Sequence, residues 1–388
     1  MKQSLAALLV MTLVFAQAQV EAETQAQARG DSAMAAEPPA PASAGFLHLP
    51  PGFKAQVLVD NVPNARSMAL AADGTLFVGT MSAGVVYAVR DALGAAPVVT
   101  KFAAGLSMPN GVALLEDDLY VAEQKQLVRY RGAVATVARG ASPSAAEVID
   151  PALPFKGFMH SWKYLAFGPD GKLYVSIGSP CNVCVEPGFG VILRMNPDGT
   201  GREVFASGIR NSVGFTWQPG TRDLWFTDNG RDMLGDDVPP DELNRAPKAG
   251  LDFGFPYCHA GSIPDPKYGD LGQCSASVPP VQKLGPHVAS LGVKFYTGQM
   301  FPADYRGQVL IAEHGSWNRS KAAGKTGYRI SLVRLKGGKA VSYTPFITGW
   351  LDGDEVRGRP VDLLVAPDGS LLVSDDQRGV IYRISYAD

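Results

Sequence analysis

The chain repeats one hydrophobic pattern six times. A short stretch bearing a polar residue leads into an apolar segment, a turn rich in Gly and Asp follows, and a strongly apolar run comes next. The openings are Arg66-Ser-Met-Ala-Leu70, Pro109-Asn-Gly-Val-Ala-Leu114, His160-Ser-Trp-Lys-Tyr-Leu-Ala-Phe167, Arg210-Asn-Ser-Val-Gly-Phe215, Ala289-Ser-Leu-Gly-Val-Lys-Phe-Tyr296 and Arg359-Pro-Val-Asp-Leu-Leu-Val365. The second runs are Asp73-Gly-Thr-Leu-Phe-Val78, Asp117-Asp-Leu-Tyr-Val121, Asp170-Gly-Lys-Leu-Tyr-Val175, Thr221-Arg-Asp-Leu-Trp-Phe226, Arg306-Gly-Gln-Val-Leu-Ile311 and Asp368-Gly-Ser-Leu-Leu-Val373. Asp-Gly between apolar runs marks a hairpin, because Gly accepts the positive φ of a tight turn. A third strand-like run closes most units, among them Val85–Val89, Val191–Met195 and Val380–Ile384; the fourth unit has only the weaker Asp241-Glu-Leu-Asn-Arg245.

With no long segment of helical period to compete, the chain reads as all-β. Six units of three or four antiparallel strands predict a six-bladed β-propeller, which protects its sheet edges by radial repetition. A sandwich or barrel would leave the recurring polar residue at one phase of each unit unexplained. Phe53-Lys-Ala-Gln-Val-Leu-Val59, which precedes the first opening, is predicted to close the ring as the outer strand of the last blade.

The N-terminus changes the expected location. Lys2 precedes an apolar run from Ser4 to Ala16, followed by small residues at Ala16-Gln-Ala18 and Val20-Glu-Ala22. This pattern suits a signal peptide over residues 1–22 and export to the periplasm or beyond; the run is short for a membrane span. Residues 23–44, rich in Ala, Gln, Glu and Pro, read as a disordered linker, and residues 45–388 as the propeller domain. With 35 basic and 37 acidic residues, net −2, nucleic acid is not an expected partner. Four cysteines in an exported chain favour disulfides. Cys181 with Cys184 and Cys258 with Cys274 suit small loop staples, although four cysteines allow three connectivities and also a structural zinc. Val185 rather than His follows Cys184, so the haem-attachment signal is absent.

The openings are expected to bring Arg66, Asn110, His160, Arg210, Asn211 and Arg359 to one end of the central channel. Three arginines around one cavity repel and cannot deprotonate, so either a multiply carboxylated ligand or acids such as Glu313, Asp362 or Asp375 must neutralise them. His160 beside that charge is the candidate general base, since neighbouring cations keep imidazole neutral. The acidic, Gly/Pro-punctuated stretch Thr227–Asn244 offers oxygen donors suited to Ca²⁺.

Five segments together resemble the sorbosone dehydrogenase family, which is related to the soluble quinoprotein glucose dehydrogenases. They are His160-Ser-Trp-Lys-Tyr-Leu-Ala-Phe-Gly-Pro-Asp-Gly-Lys-Leu-Tyr-Val175, Gly208-Ile-Arg-Asn211, Asp228-Asn-Gly-Arg231 with Asp241-Glu-Leu-Asn244, Ala312-Glu-His-Gly-Ser-Trp-Asn318, and Gly358-Arg-Pro-Val-Asp362. The resemblance runs from about Pro51 to the end. It implies a periplasmic dehydrogenase that uses pyrroloquinoline quinone (PQQ) and Ca²⁺ to oxidise a sugar or a sugar-derived aldehyde. An external cytochrome or quinone would accept the electrons.

By the same resemblance His160 is the base and Arg210 stabilises charge on the quinone oxygen. Arg66, Asn110, Arg210, Asn211, His314 and Arg359 hold the cofactor, and Gly230, Arg231 and Asp232 supply the metal site. Val213 stands where the glucose dehydrogenase branch has Gln, and only one Arg of that branch's Arg-x-Arg-Asp aligns securely, at Arg359. Glucose as substrate therefore does not follow. A metal-dependent sugar lactonase, which would need acidic ligands converging in the channel, and a non-catalytic binding propeller are the alternatives.

Overall fold

A computed structural model describes residues 43–387, and the expected signal peptide and nearly all of the linker lie outside them. The described chain is almost entirely β, in six blades arranged as a propeller; each has four antiparallel strands, and the third carries in addition a short parallel edge strand, Leu251–Asp252. Their innermost strands are Ala65–Leu70, Gly111–Leu115, Leu165–Phe167, Phe215–Trp217, Ser290–Phe295 and Pro360–Val365. The weak run in the fourth unit is a full strand, Pro240–Ala246, whose Asp228–Glu242 and Phe226–Asn244 pairs keep the ladder in register.

Ring closure follows the expected route. Phe53–Val59 pairs with Val380–Tyr386, Phe53 opposite Tyr386 and Val57 opposite Tyr382. The first strand of the domain thus completes the last blade, and Phe53 buries its ring against Phe301, Tyr305, Phe346 and Tyr386.

The Asp-Gly turns repeat one local device. Gly74, Gly171 and Gly369 have φ of +87°, +72° and +87°, and Asp73, Asp170 and Asp368 each accept the amide N–H two residues on. In the fourth blade Thr221 Oγ1 takes this role for Asp223 N–H.

The core is distributed between blades. One apolar cluster joins the first two blades through Phe77, Val86, Val112 and Val121, and another joins the third and fourth through Tyr174, Ile192, Phe215 and Phe226. These clusters bury aliphatic residues, and several add aromatic edge contacts, such as Phe77 on Phe102 within the first blade and Trp225 on Phe295 between the fourth and fifth. Edge-to-face aromatic pairs add about 1 kcal/mol beyond their burial. The inner strands are left free to shape the channel.

Both staples form: Cys181 is bonded to Cys184 and Cys258 to Cys274, which leaves no free thiol. The zinc alternative is thereby set aside.

Candidate active site

Most of the predicted polar residues sit on the segments that feed the inner strands, not on the strands themselves. His160 lies five residues before Leu165 and Arg210 five before Phe215, while Asn110 and Arg359 immediately precede their strands; Arg66 alone is on one. The physical reason is that strand interiors give their side chains to the blade interfaces, whereas the entering loops turn across the channel mouth.

His160 is 8% exposed and holds φ of +49°, a left-handed conformation that costs on the order of 1 kcal/mol for a residue with a side chain. Its Nδ1 lies 2.7 Å from the Ser179 carbonyl. A carbonyl only accepts, so Nδ1 carries the proton and Nε2 is left as the basic nitrogen. Burial first, then the Arg210 charge, holds the imidazole well below its ordinary pKa, so it is neutral at pH 7. Gly178 makes room for this arrangement: a Cβ there would stand 2.6 Å from His160 Cβ and 3.0 Å from Asn211 Oδ1.

Arg210 is tied down by the chain around the first disulfide. Its Nε donates to the Asn182 carbonyl at 2.9 Å, and its Nη2 donates to Asn182 Oδ1 at 3.0 Å and to Asp232 Oδ2 at 2.7 Å. Asn182 lies between Cys181 and Cys184, so the small staple orients the guanidinium. The backbone of Arg210 and Asn211 is clamped by Asp228, whose two oxygens accept their N–H groups at 2.9 and 2.6 Å. Burial and the neighbouring Glu242 push Asp228 above the usual carboxylate range.

On the opposite side, Arg66 donates to Asn110 Oδ1 at 2.8 Å and pairs with Asp376 at 2.8 Å. His314 Nε2 shares the same Asp376 carboxylate at 2.9 Å. Arg359 reaches the carbonyls of His314 and Gly315 and packs over the Tyr328 ring, 5.4 Å from its centroid. Burial, more than Arg359 and Arg66, lowers His314 to about 4 despite Asp376, while His314 and the arginines hold Asp376 far below its ordinary value.

Of the two ways left open for neutralising the three arginines, protein acids serve for two of them. Arg66 and Arg210 each have a carboxylate, and neither is among the acids considered from sequence. Asp376 was missed, and Asp232, expected at the metal, is engaged by Arg210 and by Asn318 Nδ2. Arg359 alone of the three has no carboxylate partner for its guanidinium among the described residues.

Beside the ring, Trp162 packs on Val213, Leu291 and Val361, which come from the fourth, fifth and sixth blades, and it meets His160 edge to face. This cross-channel contact makes an apolar floor, and Trp162 Nε1 within it is buried with no hydrogen-bond partner. Val213, the departure from the glucose dehydrogenase pattern, is part of that floor. Phe158, two residues before His160, and Trp317, immediately before Asn318, are 75% and 69% exposed. A recess of about 160 Å³ lined by Ser179, Cys184, Phe255 and Tyr257 adjoins the His160 side.

The carbonyls of Gly230 and Arg231 accept no hydrogen bond among the described residues, and Gly230 N–H is held by Asp241. No group of three or more His, Cys, Asp or Glu side chains is arranged as a metal site among the described residues.

An oriented neutral imidazole, an arginine beside it and an apolar cluster drawn from four blades thus come together on the segments that enter the inner strands. The family model described as Glucose / Sorbosone dehydrogenase matches residues 119–383, and the chain belongs to that family of sugar dehydrogenases. An uncharacterized protein of Borreliella burgdorferi is 33% identical over 354 residues, covering 88% of this chain and 91% of its own.

Among solved structures, the holo form of the pyranose dehydrogenase PQQ domain from Coprinopsis cinerea superposes with a TM-score of 0.72 at 18% identity, over 89% of this chain and 98% of that one. The PQQ-bound aldose sugar dehydrogenase from Streptomyces coelicolor gives 0.62 at 21%, over 88% and 100%. A calcium structure of a Trichoderma reesei family AA12 enzyme gives 0.72 at 20%, over 88% and 97%. At these identities the superpositions establish the fold.

Proposed function

We propose that the protein is a PQQ- and Ca²⁺-dependent dehydrogenase that oxidises a sugar or a sugar-derived aldehyde outside the cytoplasm, with His160 as general base. The observation that carries this reading is the His160 imidazole: neutral, fixed in one tautomer by Ser179, and set beside Arg210. Two disulfides support an oxidising compartment, and no described helix is long and apolar enough to cross a membrane.

The residues fit a planar, carboxylated cofactor. Trp162, Val213, Leu291 and Val361 offer a flat apolar surface, the orphaned Trp162 Nε1 offers a donor, and Arg359 offers an uncompensated guanidinium. Asn110, Asn211, His314 and Arg66 surround the same mouth. Bound PQQ would supply a two-electron acceptor for hydride. His160 Nε2 would take the hydroxyl proton of the substrate, and the new imidazolium would keep its Nδ1–H on Ser179. Arg210 would stabilise negative charge developing nearby, held rigid by Asn182 and Asp232. The free carbonyls of Gly230 and Arg231 suit Ca²⁺, whereas Asp232 would have to leave Arg210 or Asn318 to join them.

Absorbance of the purified protein titrated with PQQ, with and without Ca²⁺, tests this reading, followed by a dye-linked screen of aldoses, ketoaldehydes and alcohols. PQQ uptake only with Ca²⁺, and turnover of at least one sugar-type substrate, is the expected result. Undiminished PQQ-dependent turnover in a protein shown to be metal-free would remove the metal from the mechanism. The electron acceptor would then be sought among cytochromes and quinones.

A further inference from the structure

Lys163 is a buried cation that the mechanism above does not use. It lies three residues after His160, just before the inner strand of the third blade, and is 1% exposed. Its carbonyl accepts Asn110 Nδ2 at 2.8 Å, and Asn110 Oδ1 in turn accepts from Arg66. Gly111 faces it from the second blade, where a Cβ would come within 2.7 Å of the Lys163 carbonyl oxygen. Lys163 is thereby locked into the polar ring between Arg66 and His160.

No group among the described residues gives its Nζ a hydrogen bond or an ion pair. Burial alone lowers the ammonium, to about 8, so it remains largely charged at pH 7, and its charge is felt at His160. Nearly all of this side chain is withdrawn from water and its ammonium has no counter-charge, which costs free energy, so a purely structural side chain there would be better replaced by an apolar one. The surrounding carboxylates are already committed: Asp376 to Arg66 and His314, Asp232 to Arg210. The ring's cations without a carboxylate are Lys163 and Arg359, on segments entering the third and sixth blades. Two separated, uncompensated cations suit a ligand carrying more than one carboxylate.

We propose that Lys163 is a ligand-binding residue whose ammonium donates to a carboxylate of the anionic cofactor. This rests on the PQQ reading above. The test compares wild-type protein with Lys163→Met, measuring the melting temperature without cofactor and PQQ affinity by equilibrium dialysis at saturating Ca²⁺. Loss of a charge-assisted hydrogen bond predicts about 10- to 100-fold weaker binding, with a cofactor-free melting temperature equal to or above wild type. Affinity within about twofold of wild type would overturn the role of Lys163 while leaving the cofactor reading intact. No uptake of PQQ by the wild type would overturn that reading and this proposal with it. Should Lys163→Met fail to fold, a crystal structure of the wild-type complex decides: Nζ at about 3 Å from a PQQ carboxylate supports the proposal, and Nζ directed elsewhere overturns it.

Discussion

At the scale of single residues, the proposed mechanism gives His160 and Arg210 separable roles. Among the described residues the His160 ring makes its one hydrogen bond through Nδ1, so His160→Gln is expected to lose about 10²- to 10⁴-fold in kcat with PQQ affinity nearly unchanged. Single-turnover reduction of bound PQQ checks it, and a wild-type rate would make the histidine structural. The Arg210 side chain makes four hydrogen bonds, two to Asn182 and one each to Asn229 and Asp232, and Arg210→Ala removes them together with the local positive charge. Both cofactor affinity and the chemical step should fall, and dialysis alongside stopped-flow kinetics separates the two. Asn182 and Asp232 would be left with unpaired polar groups, so a melting temperature a few degrees lower is expected as well.

At the scale of elements, the two staples do different work. The Cys181–Cys184 bridge brackets Asn182, the residue that orients Arg210, so replacing both cysteines by serine should cost activity more than stability. The Cys258–Cys274 bridge closes a longer loop whose interior is held by Asp265, ion-paired with Arg231 and hydrogen-bonded to His259. In the chain-entropy picture a loop of that length contributes about 3 kcal/mol. Cys258→Ser with Cys274→Ser should therefore lower the urea midpoint while leaving kcat close to wild type. A large kcat loss in this second variant, or none in the first, would reverse the assignment.

At the scale of the whole molecule, the ring is closed by one strand from the beginning of the domain. Phe53 anchors that strand among four aromatic rings, so Phe53→Ala should cost about 3 to 5 kcal/mol in denaturant unfolding, the usual range for a buried Phe.

Acid should loosen the same molecule through His314. Its folded value of about 4 lies below its ordinary 6.5, so the unfolded chain binds more protons between them and stability falls as pH drops through that window. Each unit of separation is worth about 1.4 kcal/mol. Asp375, raised by burial to about 6, works oppositely by losing stability as pH rises towards 6. The measurement is therefore the difference between wild type and His314→Gln, each without cofactor, whose gap in melting temperature should narrow as pH falls from 6.5 to 4. Asp376, Arg66 and Arg359 are the charged groups facing His314.

Strand, turn and blade number are determined by the chain locally, because apolar alternation and Asp-Gly turns act over a few neighbouring residues. That is why six blades and the closing strand could be read from residues 53–388, and why the His160, Arg210 and Arg359 segments were identifiable by motif, whereas the choice among three disulfide connectivities was made by the fold. Partnership across the channel is not local. Arg66 and Asp376 are 310 positions apart and Thr227 donates to the Leu291 carbonyl 64 positions away, and no periodicity links such pairs. Only the closed ring decided which arginines are neutralised, placed Trp162 against Val213, Leu291 and Val361, and left Lys163 without a counter-charge. Burial is the physical reason: the charge state of a polar residue depends on which distant blade removes its water and supplies its partner.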